Sequence, residues 1–248
     1  MSGAHHFQDQ AYVLHSRPYR NSSLIIDVFT REHGRLSLVA KGAKRGNAPL
    51  SSKLQPYAPL FLEWGGQNEL MTLYKAETDT HTIKPLTGDA LYHGFYLNEL
   101  LLRLLHRHDA HPELFDDYAY CLQTLVDSEH RDIPLRYFEL QLLESLGYAV
   151  NLLEELHTEA DVTPEGQYCY LIEQGPVQAT EVAAESLRIS GETLLALAHR
   201  TLSHTRQRNE AKLLMRSILD HYLGDRPLKA RELMQSRKLL RNSTPRQG

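Results

Sequence analysis

Apolar positions in the first 80 residues recur with a period of two, in short runs bounded by turn-forming residues. Runs at 12–16, 24–29, 35–41, 60–64 and 70–75 are rich in β-branched, aromatic and aliphatic residues and predict five strands. The turn signals between them are 18–22, Glu32-His33-Gly34, the stretch 42–59 and Gly65-Gly66. Alternation sorts the faces. Leu24, Ile26 and Val28 oppose Ile25, Asp27 and Phe29, while Leu36, Leu38 and Ala40 oppose Arg35, Ser37, Val39 and Lys41. Five strands in this length predict a small barrel of the oligonucleotide-binding Greek-key type, although strand count alone suits an SH3-like barrel or an open meander nearly as well.

From residue 87 the period turns helical. Residues 92–106 carry Phe95, Tyr96, Leu97, Leu100, Leu101, Leu104 and Leu105 on a stripe too wide for a solvated helix, which places this helix at the centre of a bundle. A second helix starts at Pro112 and carries Leu114, Phe115, Tyr118, Leu122 and Leu125. A third spans 134–146 and ends at Gly147. Residues 151–180 lose periodicity apart from one short strand at 168–172. Helices resume at 194–202, capped by Ser190, then at 209–223 before Gly224, and at 228–234 after Pro227. The fold class expected is α+β. A barrel fills 1–80, a helical domain 81–150 and a loop-rich insert 151–185; C-terminal helices at 186–241 complete the helical domain before a frayed tail at 242–248.

Composition changes this picture little until charge is resolved by position. The 248 residues are 42% hydrophobic and 23% charged, enough to bury a core, and a net charge of −4 argues weakly against a polyanion as partner. Residues 11–55, however, hold eight basic groups against two acidic, residues 56–199 seven against 24, and residues 200–248 twelve against four. Two basic ends therefore flank an acidic middle. The distribution suits a polyanion at the ends, because the acidic region is screened beyond about 8–10 Å; it equally suits solvated surface. No run of about 18 apolar residues predicts a membrane span, the N-terminus has no export signal, and two cysteines suit a reducing cytoplasm.

The chain lacks a phosphate loop, a dinucleotide fingerprint, a paired-histidine zinc helix and a nucleophile elbow. Lys41-Gly42-Ala43-Lys44-Arg45-Gly46 has neither the spacing nor the hydroxyl that nucleotide hydrolysis needs, and reads better as a basic loop that meets backbone phosphates. His106, His108, Asp109 and His111 read as a solvated helix end rather than a cation site. His157 and Cys169 are too few ligands for zinc, and Cys121 reads as a core residue, so no metal or cofactor is expected. Among Tyr12, Tyr19, Phe29, Tyr57, Phe61, Trp64 and Tyr74, Tyr19 is the best candidate to stack on a base, because Arg17 and Arg20 flank it in a turn. Arg35 and Lys41 on the polar strand face, with Lys44, Arg45 and Lys53, form the candidate phosphate set, which Lys212, Arg216, Lys229 and Arg231 extend at the other end.

Ala11-Tyr12-Val13-Leu14-His15-Ser16-Arg17-Pro18, Leu54-Gln55-Pro56-Tyr57-Ala58-Pro59-Leu60, Tyr96-Leu97-Asn98-Glu99-Leu100-Leu101 and Pro227-Leu228-Lys229-Ala230-Arg231-Glu232-Leu233 resemble, in order, segments of the bacterial recombination mediator family RecO. Likeness covers nearly the whole chain and fails mainly between 151 and 205. It implies a non-enzymatic role in DNA repair and recombination, in the cytoplasm and at the nucleoid. Such proteins bind single- and double-stranded DNA, anneal complementary strands, engage the acidic tail of single-strand-binding protein (SSB), and with RecR load RecA, in the pathway that includes RecF. Many members hold a four-cysteine zinc site in the insert; with only Cys169 there, this chain resembles the zinc-free branch. An SSB tail needs a cation beside an apolar pocket, for which Arg136 with Leu140 and Leu143 is the candidate; a surface ion pair of Arg136 with Glu139 or Glu144 is the alternative. A protein-only adaptor bridging SSB and RecR, without functional DNA contact, is the alternative function.

Overall fold

A computed structural model describes residues 5–46, 49–66, 70–78, 85–148, 150–180 and 187–243, with side chains through Arg237. The chain divides into two compact units, residues 1–127 with 228–248, and residues 128–227. The boundary expected at residue 80 thus falls inside the first unit, and the tail expected to fray lies outside the described residues from 244 onward. No helix among the described residues is long and apolar enough to cross a membrane.

In the first unit, β1 (His5–Tyr19), β2 (Ser23–Thr30), β3 (Gly34–Ala40), β4 (Leu60–Gly66) and β5 (Met71–Thr78) close a barrel in the order β1-β2-β3-β5-β4. Every neighbouring pair is antiparallel except β3 and β5. This is the oligonucleotide-binding type of barrel expected from the strand pattern. β1 is far longer than its apolar run because it serves two neighbours: residues 5–11 pair with β4 and residues 11–19 with β2. Of the two faces that alternation separates, the one with Leu24, Ile26 and Val28 on β2 and Leu36, Leu38 and Ala40 on β3 fills the barrel, together with Ala11, Val13, Leu62, Trp64 and Leu73.

β1 carries a bulge at Leu14: Val13 lies opposite Val28 and His15 opposite Asp27, which leaves Leu14 outside the register. One surplus residue reverses the alternation, so Ala11 and Val13 point into the barrel while His15 and Arg17 reach outward to the Asp27 carboxylate. The Leu14 carbonyl accepts from Asn98 Nδ2 at 2.8 Å, and Asn98 Oδ1 accepts from the Tyr118 hydroxyl.

Asn98 and Tyr118 belong to α1 (Asp89–Leu104) and α2 (Pro112–Asp127). α1 packs on β1, on α2 and on α6 (Lys229–Ser243), so it serves as a wall of the barrel unit rather than as the centre of a bundle; Phe95, assigned to its apolar stripe, is 47% exposed. α6 starts where Glu99 of α1 accepts the backbone N–H groups of Lys229 and Ala230 at 3.0 and 2.8 Å. A carboxylate so placed satisfies two orphan donors and opposes the positive end of the helix dipole.

In the second unit, α3 (Asp132–Ser145) ends as predicted at Gly147, whose φ of 79° lets Tyr148 N–H return to the Leu143 carbonyl at 2.9 Å. The insert is more ordered than its pattern suggested. β6 (Gln167–Leu171), β7 (Gly175–Gln178) and β8 (Arg188–Ser190) form a sheet in the order β7-β6-β8 over a small core of Cys169, Val177 and Ala179. Ser190 caps α4 (Gly191–Ala198), accepting from Thr193 N–H, and α5 runs Thr205–Leu223. The helix expected at 194–202 therefore starts and stops earlier. Glu210 of α5 accepts from Ser190 N–H, Ser190 Oγ and Thr193 Oγ1 and pairs with Arg206, so it fastens α4 to α5.

Two outcomes follow from these buried polar groups. Asn98→Ala removes the acceptor of the Tyr118 hydroxyl and the donor to the Leu14 carbonyl at a buried site, and should cost about 1–3 kcal/mol. Urea unfolding followed at Trp64, the single tryptophan, reads this unit, and Tyr118→Phe in the Asn98→Ala background should cost less than it does alone. Burial pushes the Glu210 carboxyl up, but the hydrogen bonds from Ser190, Thr193 and Arg206 outweigh it and hold the pKa at about 2. Because the folded value is depressed, its stabilisation is complete above the ordinary carboxylate range of about 4.3 and fades as pH falls towards 2. Glu210→Gln should therefore destabilise at pH 7 and flatten the acid limb of a circular-dichroism unfolding profile.

Candidate nucleic-acid interface

The outer face of β1, β2 and β3 is covered at one end and open at the other. At the covered end Tyr12 and Phe29 pack against Phe115 and Tyr118 of α2, so two of the seven candidate aromatics are outer-face core. Trp64 fills the barrel and Tyr57 is buried, while Phe61 and Tyr74 are exposed.

Arg35 belongs to the covered end. Its Nε and Nη2 both donate to the Leu105 carbonyl, at 3.1 and 3.0 Å, and so close the C-terminus of α1. Burial lowers its pKa, the nearby Arg107 charge acts in the same direction and Asp27 opposes both. Where the sequence put Arg35 on a free polar face, the structure uses its guanidinium as a helix C-terminal donor. Nearby, Gly34 has a φ of 66°, and a Cβ there would stand 2.0 Å from the Asp109 carbonyl oxygen, so only glycine lets the β2–β3 turn meet the 105–110 loop. His111 Nε2 lies 3.3 Å from Asp109 Oδ2, and no group of three or more metal-ligating side chains occurs among the described residues.

The open end gathers most of the remaining N-terminal candidates. Pairing of Leu24 with Ala40 puts the β1–β2 turn beside the chain that leaves β3. Backbone contacts then join them: Lys44 N–H donates to the Ser22 carbonyl at 3.0 Å and Gly42 N–H to Ser23 Oγ at 3.3 Å. Ala43, fully buried, anchors the loop in the barrel core, and its carbonyl accepts from Ser51 N–H. Arg20, Lys41, Lys44 and Arg45 are all exposed at this end. The Arg20 guanidinium lies over the half-buried Tyr19 ring, 5.2 Å from its centroid, at a left-handed turn residue with φ 51°. Lys53 is exposed beyond the short 3-10 turn Leu50–Ser52, where its charge reaches Glu77.

Between the two ends lies a shallow depression of about 190 Å³, lined by Arg17, Ile25, Ser37, Leu70 and Arg107. Arg107 follows a helix in the acidic stretch of the sequence, and the parallel bridge between Arg35 and Arg107 brings it to the barrel. Asp27 was legible as the one charge interrupting the apolar run 24–29.

The C-terminal candidates are divided between the units. Lys229 and Arg231 belong to the barrel unit, Lys229 exposed and Arg231 lying 5.7 Å from the Tyr96 ring centroid. Lys212 and Arg216 are exposed on α5 of the second unit, where Arg216 pairs with Asp220 at 3.5 Å. Arg136, Leu140 and Leu143, the candidate peptide pocket, are all buried, and the Arg136 guanidinium is held by the buried Glu139 of the next helical turn. They form core and an internal ion pair rather than the wall of an open pocket.

Comparison with known proteins bears on this geometry. The family model described as Recombination protein O N terminal matches residues 1–80, and the one described as Recombination protein O C terminal matches residues 85–232. A DNA repair protein RecO of Nitrosospira multiformis is 45% identical over 91% of this chain and 93% of its own length. That of Methylococcus capsulatus is 46% identical over 92% and 93%, and that of Nitrosococcus oceani 45% identical over 94% of each. A barrel with a basic end, both halves of the family model and relatives at this identity lead to one conclusion: the chain belongs to the recombination protein O family of DNA repair proteins.

Proposed function

We propose that this protein binds single- and double-stranded DNA at the open end of its barrel and anneals complementary strands while acting as a recombination mediator. The observation that carries this reading is the joining of the β1–β2 turn to the 41–45 loop, which collects Tyr19, Arg20, Lys41, Lys44 and Arg45 on one end of the unit. These groups are suited to phosphates and to one stacked base rather than to base edges, so binding is independent of sequence. Annealing needs the charge of two backbones neutralised while bases pair, and involves no covalent chemistry. Membership of the family supports a place beside SSB, RecR and RecA, with RecF in the same pathway and the nucleoid as its site of action. Arg17 adds only a weak contact along the open face, its charge shared with Asp27, and Lys53, Lys229 and Arg231 extend the surface on the same unit.

Salt dependence tests the reading. Affinity for an oligothymidine strand should fall steeply with ionic strength, and Lys41→Glu, Lys44→Glu and Arg45→Glu together should reduce the slope of log K against log salt by about 2, at roughly 0.7 per phosphate. An unchanged slope moves the DNA contact elsewhere. A wild-type protein without salt-dependent DNA affinity that still binds the SSB tail or RecR is a protein-only adaptor.

A further inference from the structure

The open face of β1, β2 and β3 carries an acid at the middle of its bases. Asp27 is 6% exposed, and its Oδ1 accepts from Ser37 Oγ at 2.5 Å. Its Oδ2 stands 3.6 Å from Arg17 Nη1 and 3.6 Å from His15 Nδ1, close enough for attraction but beyond a short hydrogen bond. Arg17 and His15 themselves are about half exposed. Arg35 on β3 and Arg107 beyond α1 are the other charges facing this acid and its neighbours. A barrel of this type does not need a carboxylate here: Ser37 could bond to an amide as well, and burying a charge costs free energy that Arg17, half in water, returns in small part.

A phosphate entering the depression between Arg17 and Arg107 comes near Asp27, whose carboxylate is bonded to the lining residue Ser37 and lies beside Arg17. It must draw Arg17 away from the carboxylate, and it is repelled by the carboxylate at the same time. We propose that Asp27 is a built-in counter-charge that holds Arg17 in reserve and limits how tightly this face retains a nucleic-acid backbone. The inference rests on the DNA reading above and gives it a means of release: a mediator that anneals strands must let the duplex go, and an acid fixed in the binding face weakens the backbone contacts nearest it whatever the base sequence. A carboxylate with a purely architectural task predicts the reverse, because its loss would free Arg17 to wander and binding would weaken.

The two readings diverge on Asp27→Asn in the full chain, which keeps an acceptor for Ser37. Anisotropy titration with oligothymidine at low salt should show binding about three- to ten-fold tighter than wild type. The salt slope should steepen by about 0.7 as Arg17 takes up a phosphate. In an Arg17→Gln background the gain should shrink to the part that direct repulsion supplies, less than about two-fold. Unchanged or weaker binding by a variant that keeps the wild-type Trp64 emission and unfolding midpoint overturns the proposal, as does a gain that survives Arg17→Gln undiminished. Arg17→Gln alone provides a test even if Asp27→Asn does not fold: a group already held by Asp27 should cost less than about two-fold, and a ten-fold loss overturns the idea. Wild-type protein with no salt-dependent affinity overturns the DNA reading as well, whereas normal wild-type binding without a gain in Asp27→Asn overturns the counter-charge alone.

Discussion

Between Val13, opposite Val28, and His15, opposite Asp27, the first strand has one residue more than its partner, and the geometry of the barrel unit turns on that surplus. A regular strand would have sent His15 and Arg17 inward with Ala11 and Val13, where an arginine among Ile26, Leu38 and Trp64 would be intolerable. The bulge turns them out and takes Leu14 out of the register. Asn98 donates to the Leu14 carbonyl and is itself fixed by Tyr118, so the irregularity that exposes the basic residues is the one that fastens the two helices to the sheet. Bulges that re-aim a side chain beside a functional surface are a recurrent use of this irregularity.

The helices in turn decide how much of the outer face remains open. Phe115 and Tyr118 cover Phe29 and Tyr12, Arg35 ties the end of α1 to β3, and Glu99 draws the distant segment after Pro227 back to start a helix on the same body. What is left uncovered is the Arg17 end with its adjoining turn and loop. One strand face thus divides into an adhesive half and a presenting half within a few residues, and Asp27 stands at the division between Phe29 and Ile25.

Alternation made the two faces of β2 and β3 legible, and cap chemistry did the same for Ser190 and Gly147, because each reports a strictly local constraint. The bulge was not legible, since Leu14 continues an apolar run and nothing in Ala11-Tyr12-Val13-Leu14 marks the extra residue. The role of Arg35 was hidden for a related reason: its partner is a backbone carbonyl 70 residues away, and carbonyls carry no sequence signal. Arg136 misled because one helical turn separates it from Glu139, a spacing typical of exposed pairs, while both are buried here. The sheet of the insert escaped because β7 and β8 are only four and three residues long, too short to show a period.

The 41–45 loop is fastened through main-chain groups and the methyl of Ala43, and neither depends on the side chains at 41, 44 and 45. Its conformation is therefore settled before any ligand arrives, and little ordering entropy is lost on contact. The same separation frees those three positions from the folding problem: within this scaffold, descendants can gain or lose charge at the tip, one lysine at a time, while the barrel beneath them stays as it is.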